Sequence, residues 1–190
     1  SNNGENVILN HYPEIETFEL KTPETKSFKR EIYKTKIYNM KDSFLDFSAL
    51  EQCAEYIRSG KVIGFPTETV YGIGANALDK NAVGKIFIAK GRPSDNPLIV
   101  HIADRNKIEE VAQDITEMEQ ILIDEFMPGP FTLILKRRPE IPDIVTAGLD
   151  TVAVRIPDNI IARGIIQFSG VPIAAPSANI SGKPSGTSVE

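Results

Sequence analysis

The sequence predicts an α/β domain built on a mixed sheet. Between Ser48 and Ala175, short apolar runs alternate with stretches whose apolar residues recur at helical spacing. Several links between runs are short enough for hairpins, so strands of both directions belong in one sheet. The four longer helical stretches each begin at a residue able to cap an N-terminus and end at a glycine or proline.

Ser1 to Gly4 and the polar stretch to Arg30, with Pro13 and Pro23, read as an arm with at most short strands, Thr17 to Leu20 being one. Glu31 to Tyr38 alternates Ile32, Lys34 and Lys36 against Tyr33, Thr35 and Ile37, the pattern of an edge strand. Ser48 to Ser59 predicts a helix: Ser48 and Glu51 form a capping box, Leu50, Cys53, Ala54 and Ile57 share a face, and Gly60 stops it. Val62, Ile63 and Phe65 predict a buried strand ending at Pro66, followed by a Thr67-Glu68-Thr69 turn and a loop punctuated by Gly72 and Gly74. Asp79 caps a helix carrying Val83, Ile86 and Phe87, which stops near Lys90 because Gly91 suits the left-handed cap and Pro93 cannot continue it.

Pro97 to Ile102 is the next strand, and Asp104 to Val111 a short helical stretch. Thr116 and Glu119 form a second capping box, opening a helix with Met118, Ile121, Leu122 and Phe126 on its apolar side. Pro128-Gly129-Pro130 breaks it before a strand from Phe131 to Leu135 and a basic loop from Lys136 to Pro142. In the strand Thr151 to Ile156, Val152 and Val154 face one way and Ala153 and Arg155 the other. Asp158 caps a helix through Phe168, closed by Gly170, and Val171 to Ala175 is a last buried strand leading into Pro176-Ser177-Ala178-Asn179. The Gly- and Ser-rich end from Ile180 reads as loop.

With 190 residues, 41% hydrophobic and 25% charged, the chain has the composition of a soluble globular protein and is long enough for one large core. No apolar run reaches the ~20 residues of a membrane span, and no signal-peptide core opens the chain. A net charge of −5 argues against tight, general nucleic-acid binding but leaves room for a local basic cleft formed by Lys90, Arg92 and Arg155. Cys53 is the single cysteine, so there is neither an internal disulfide nor a cysteine zinc cluster, and its place on an apolar helix face makes it a core residue. A cytoplasmic location is expected.

Residues with chemistry gather at element ends. Gly72-Ile73-Gly74-Ala75-Asn76-Ala77 fits G-x-G-x-x-A, but a polar turn separates it from the preceding strand and the helix starts only near Asp79, so a dinucleotide fingerprint is rejected. The Walker phosphate loop is absent. Lys90-Gly91-Arg92, in a loop stiffened by two prolines and supplied with Ser94 and Asn96, can hold phosphate oxygens; the competing reading is two solvated surface cations. Thr67, Thr69 and His101 are polar groups at strand ends, and His101 with His11 cannot make a histidine metal cluster. Arg155 in an apolar strand needs an anionic partner, either Glu68 or another acid or a substrate carboxylate. Ser177 and Ser185 sit in no G-x-S-x-G, and no hydrolase triad is evident.

PTETVYGIGANAL, AKGRPSDNPLIVHI, PGPFTLIL, TVAVRIP and APSANISG occur in the order and spacing of the YrdC family, the threonylcarbamoyl-AMP synthases, which the chain resembles from about Lys61 to Gly186. The resemblance implies a YrdC-like twisted sheet of parallel and antiparallel strands, flanked by helices, with a concave basic site. It implies condensation of L-threonine, bicarbonate and ATP into threonylcarbamoyl-adenylate with release of pyrophosphate, for a tRNA adenosine modified by a downstream transfer complex. The family's signature Lys, Arg, Ser and Asn match Lys90, Arg92, Ser177 and Asn179. Nucleotide contacts would come from Arg92, Asn96, Thr151, Ser177, Asn179 and Ser185, and threonine contacts from Thr69, His101, Arg155 and Ala175. Mg²⁺ is expected with ATP, held mostly by phosphate and water. Competing readings are a YrdC-like module that only binds nucleotide or RNA, and a carbamoyl-transfer domain using carbamoyl phosphate. Ser185-Gly186-Thr187 departs from the family's Ser-Pro-Thr. Residues 1–38 are read as arm and edge strand and 39–190 as the YrdC-like domain, with the chain expected to be truncated at its C-terminal end.

Overall fold

The computed structural model describes residues 4–11, 34–41, 46–66, 71–91 and 96–176. Among them are β1 (Gly4–His11), β2 (Lys34–Lys41), α1 (Phe47–Arg58), β3 (Ile63–Pro66), β4 (Tyr71–Asn76), α2 (Lys80–Lys90) and β5 (Ile99–His101). A 3₁₀ turn (Arg105–Glu110) then leads to α3 (Glu117–Phe126), β6 (Leu133–Lys136), α4 (Asp143–Thr146), β7 (Thr151–Arg155), α5 (Ile160–Ser169) and β8 (Ile173–Ala175). The strands form one mixed sheet in the order β2-β1-β3-β4-β8-β5-β7-β6. β5 and β7 run parallel, and the other described pairs are antiparallel.

Alternation along the central strands divides the interior into two layers. Val100, Ile102, Val152, Val154, Ile156 and Ala174 point to the layer holding α2, where Val83, Ile86 and Phe87 meet them. Ile173, Ala175 and Ala103 point to the opposite layer, with Leu50, Cys53 and Ile57 of α1 and Ile161, Ile165 and Ile166 of α5. Phe47 and Phe168 stack at 5.9 Å between these two helices.

Helix ends follow local chemistry. Asp79 accepts from the amides of Asn81 and Ala82 at the start of α2, and Gly91 closes it at φ +62°. Thr116 and Glu119 form both halves of a capping box. Two caps differ from expectation. Asp46, not Ser48, caps α1 by accepting from Ala49 N, and Asn159, not Asp158, caps α5 by accepting from the amides of Ile161 and Ala162. In each case the structure uses a neighbouring residue of the same capping class.

Four further expectations are corrected. Gly4 to His11, read as arm, is a strand, held by an eight-residue ladder to β2 and a shorter one to β3. The edge strand falls at Lys34–Lys41, so residues 38 and 39 lie inside one element. Gly72 and Gly74 lie within β4, opposite Phe65 and Ile63, and are not in a loop. On α3 the buried residue is Ile123, while Met118, Ile121 and Phe126 are 64%, 54% and 48% exposed. Thr17 to Leu20 and the turn at residues 67–70 lie outside the described residues.

No described helix is long and apolar enough to cross a membrane. Cys53 is fully buried, and that burial pushes its thiol up to about 12. The folded thiol should therefore resist iodoacetamide at pH 8 and react once the chain is unfolded, as mass spectrometry would show. Because the unfolded thiol ionises near its ordinary 9.0 and the folded one does not, its contribution to stability declines as pH rises above about 9.

Candidate active site

Strand direction places the described candidates Asn96, Thr151 and Ala175 toward one end of the sheet, while His101 and Arg155 end β5 and β7 level with Ile173. β3 and β4 pair antiparallel, and their last described pair, Pro66 with Tyr71, marks this end of the sheet. β8 runs antiparallel to β4, pairing Ala75 with Ala174, and therefore heads toward the same end at Ala175 and Pro176. Ile99 pairs with both Ala175 and Ala153, so β5 and β7 begin there, with Thr151 two residues ahead of Ala153. β4 finishes at the far end with Asn76, and α2 must return along the sheet to reach the start of β5. α2 packs on β4 and α4, and Gly91 closes it before β5 begins at Ile99. Thr69, Arg92, Ser177, Asn179 and Ser185 lie outside the described residues, as does Glu68. Lys90 is placed by its backbone as the last residue of α2.

His101, Arg155 and Ala175 share one face of the sheet. His101 pairs with Arg155 on one side and Ile173 on the other, and the next row toward the loop end is Ala175, Ile99 and Ala153. The two rows are about 6–7 Å apart and neighbouring strands about 4.8 Å. His101 and Arg155 are 4% and 9% exposed, and Ala175 is buried. Asn96 and Thr151 are exposed at the loop end.

Both polar side chains are braced by carbonyl oxygens. His101 Nδ1 lies 3.1 Å from Ile99 O. A carbonyl can only accept, so Nδ1 carries the proton there. Arg155 Nε donates to Gly129 O at 3.2 Å, and Gly129 N donates to Ile156 O at 2.9 Å. The Pro128-Gly129-Pro130 turn is thus clamped to the end of β7. A Cβ on Gly129 would lie 3.1 Å from Phe126 O, so glycine is what this close approach admits. Sequence reasoning missed this role for Gly129; the PGP turn was visible, but its partner lies 26 residues away. Lys136, opposite Thr151, is committed elsewhere: Asp114 accepts its hydrogen bond at 2.5 Å and raises its pKa.

A sequence-family model named for Sua5, YciO and YrdC, and described as "Telomere recombination", matches residues 55–190. The threonylcarbamoyl-AMP synthase of Pyrococcus abyssi is 59% identical over 135 residues, covering 71% of this chain and 40% of that protein. The enzyme of that name from Bacillus subtilis is 54% identical over 142 residues, covering 74% of this chain and 41% of that one. The crystal structure of P. abyssi Sua5 complexed with L-threonine superimposes with a TM-score of 0.73 at 55% identity, covering 75% of this chain and 42% of that chain. This chain therefore spans about two fifths of the length of these relatives.

Proposed function

The chain belongs to the Sua5–YciO–YrdC family, and on that premise we propose that it condenses L-threonine, bicarbonate and ATP into threonylcarbamoyl-adenylate and pyrophosphate. The observation that carries the reading is its high identity with two proteins named threonylcarbamoyl-AMP synthase. The product would supply the group that a downstream transfer complex places on a tRNA adenosine.

The reaction needs no protein nucleophile. The threonine amine and bicarbonate form a carbamate with loss of water. A carbamate oxygen then attacks the α-phosphorus of ATP, and the bond to the bridging oxygen of pyrophosphate breaks. The protein's work is to hold two anionic reactants in line and to offset charge on the phosphates.

The rows of the sheet suit that order. Arg155, anchored through Nε by Gly129, would meet the threonine carboxylate with the Nη end of its guanidinium, beside His101. One row nearer the loop end lie Ala153 and the buried Ala175, and the carbamate would form on their loop side. Thr69 would complete this pocket. Beyond it, Lys90 and Arg92 would hold the phosphates, with Asn96, Thr151, Ser177, Asn179 and Ser185 contacting the nucleotide. Magnesium would arrive with ATP, ligated by phosphate and water; among the described residues no cluster of three His, Cys, Asp or Glu could hold one.

Pyrophosphate release from ATP, measured with and without L-threonine in bicarbonate buffer, tests the reading. Release that depends on both threonine and bicarbonate is expected, with L-serine much poorer. ATP binding with no threonine-dependent turnover would point instead to a binding module.

A further inference from the structure

At the other end of β5 and β7, a cavity of about 250 Å³ is lined by Asp104, Arg105, Pro128, Ile156 and Arg163. Its two arginines come from different elements, Arg105 from the 3₁₀ turn and Arg163 from α5. Each is fixed through Nε alone: Arg105 donates to Met127 O and Arg163 to Ala103 O, both at 2.9 Å.

The Nη nitrogens of this pair are in a different position from those of Arg58 and Arg137. Arg58 is bound through Nη2 to Glu51 and Glu55 and Arg137 through Nη1 to Asp143 at 2.7 Å, whereas Arg138 approaches Glu140 through Nε, at 3.7 Å. Among the described residues, no hydrogen bond or ion pair takes up the Nη nitrogens of Arg105 or Arg163. Asp104 lines the same cavity, its Oδ1 accepting from Asn106 N at 3.1 Å. Two cations against one carboxylate leave the cavity positive; it is open to solvent, with Asp104 and Arg105 exposed, Arg163 and Pro128 half-buried and Ile156 buried.

We propose that this cavity is a second anion site, distinct from the ATP and threonine positions, that takes a compact phosphate-type oxyanion between Arg105 and Arg163. A carboxylate has two oxygens and is served by one guanidinium fork. Two forks approaching from separate elements match the three or four oxygens of a tetrahedral phosphate. The volume leaves room for a small substituent, so the ion is free phosphate or the terminal group of a small phosphate monoester.

Titration of the full chain with inorganic phosphate, following the arginine Nε–Hε signals by NMR, tests this. The signals of Arg105 and Arg163 should shift together and saturate, with acetate at least tenfold weaker. The double variant R105Q/R163Q should weaken phosphate binding at this site at least tenfold, read from the amides of Asp104 and Ile156. If that variant does not fold, R105K/R163K replaces it: each lysine can still reach a carbonyl but loses the fork, and at least fivefold weaker binding is expected. AMP moving the same signals would assign the site to monoesters, and phosphate alone moving them to the free ion. Unmoved arginine signals, equal binding of acetate, or unchanged affinity in the variants would overturn the proposal.

Discussion

Lys90→Ala is expected to lower threonine-dependent pyrophosphate release by about a hundred- to a thousand-fold, the range seen when one preorganised charge stabiliser is removed. The fold should not notice. Lys90 ends α2, alanine is the best helix former, and the left-handed turn that closes the helix belongs to Gly91 at φ +62°. Thermal unfolding should therefore stay within about 0.5 kcal/mol of the parent. Arg92→Ala should show the same pattern, because the two cations, separated by Gly91, are assigned to one phosphate tail. Parent-like turnover in both variants would remove the phosphate role from this loop.

Arg155→Ala is expected to act on the other substrate, and also on stability. Losing a buried, hydrogen-bonded charge partner for the threonine carboxylate costs about 2–5 kcal/mol, which is about thirtyfold to a few thousandfold in kcat/KM for threonine. The KM for ATP should change little, since Arg155 lies two rows from Thr151 at the loop end. The same change strips Gly129 O of its donor, so a stability loss of about 1–3 kcal/mol should accompany it. Arg155→Lys separates the two effects. A lysine can still reach the carbonyl and restore part of the stability, but it cannot meet a carboxylate in a bidentate manner, so threonine kcat/KM stays low. A variant weakened equally toward ATP and threonine would show that Arg155 serves the fold alone.

The parts of this architecture that were legible in the sequence are those governed by residues close together along the chain. Asp79 and Gly91 bracket α2 as their types require, Thr116 and Glu119 close a capping box, and Val152 and Val154 separate from Ala153 and Arg155 by simple alternation. What was not legible depends on distant partners. β1 lacks a clear pattern of its own and exists through its ladder to β2, more than twenty residues on. Gly72 and Gly74 look like loop residues because glycine weakens isolated strands, yet β4 is held by β3 on one side and β8 on the other. The apolar stripe of α3 was visible, but amphipathicity does not say which residue is buried, and among the described residues of α3 that is Ile123, while Phe126 rests half-exposed against Phe131. At the site, the pairing of His101 with Arg155 and the clamp of Arg155 on Gly129 arise from sheet order and a turn 26 residues away.

The central claim is that α2, β5, β7 and β8 bring their site-bearing ends to one edge of the sheet, where the nucleotide's phosphates are held. Backbone amide NMR of the chain titrated with α,β-methylene-ATP tests it most directly. Saturable shifts should cluster at Gly91, Asn96, Thr151 and Ala175. Shifts centred instead on Asn76, Leu78 and Gly170, at the opposite edge, would contradict it.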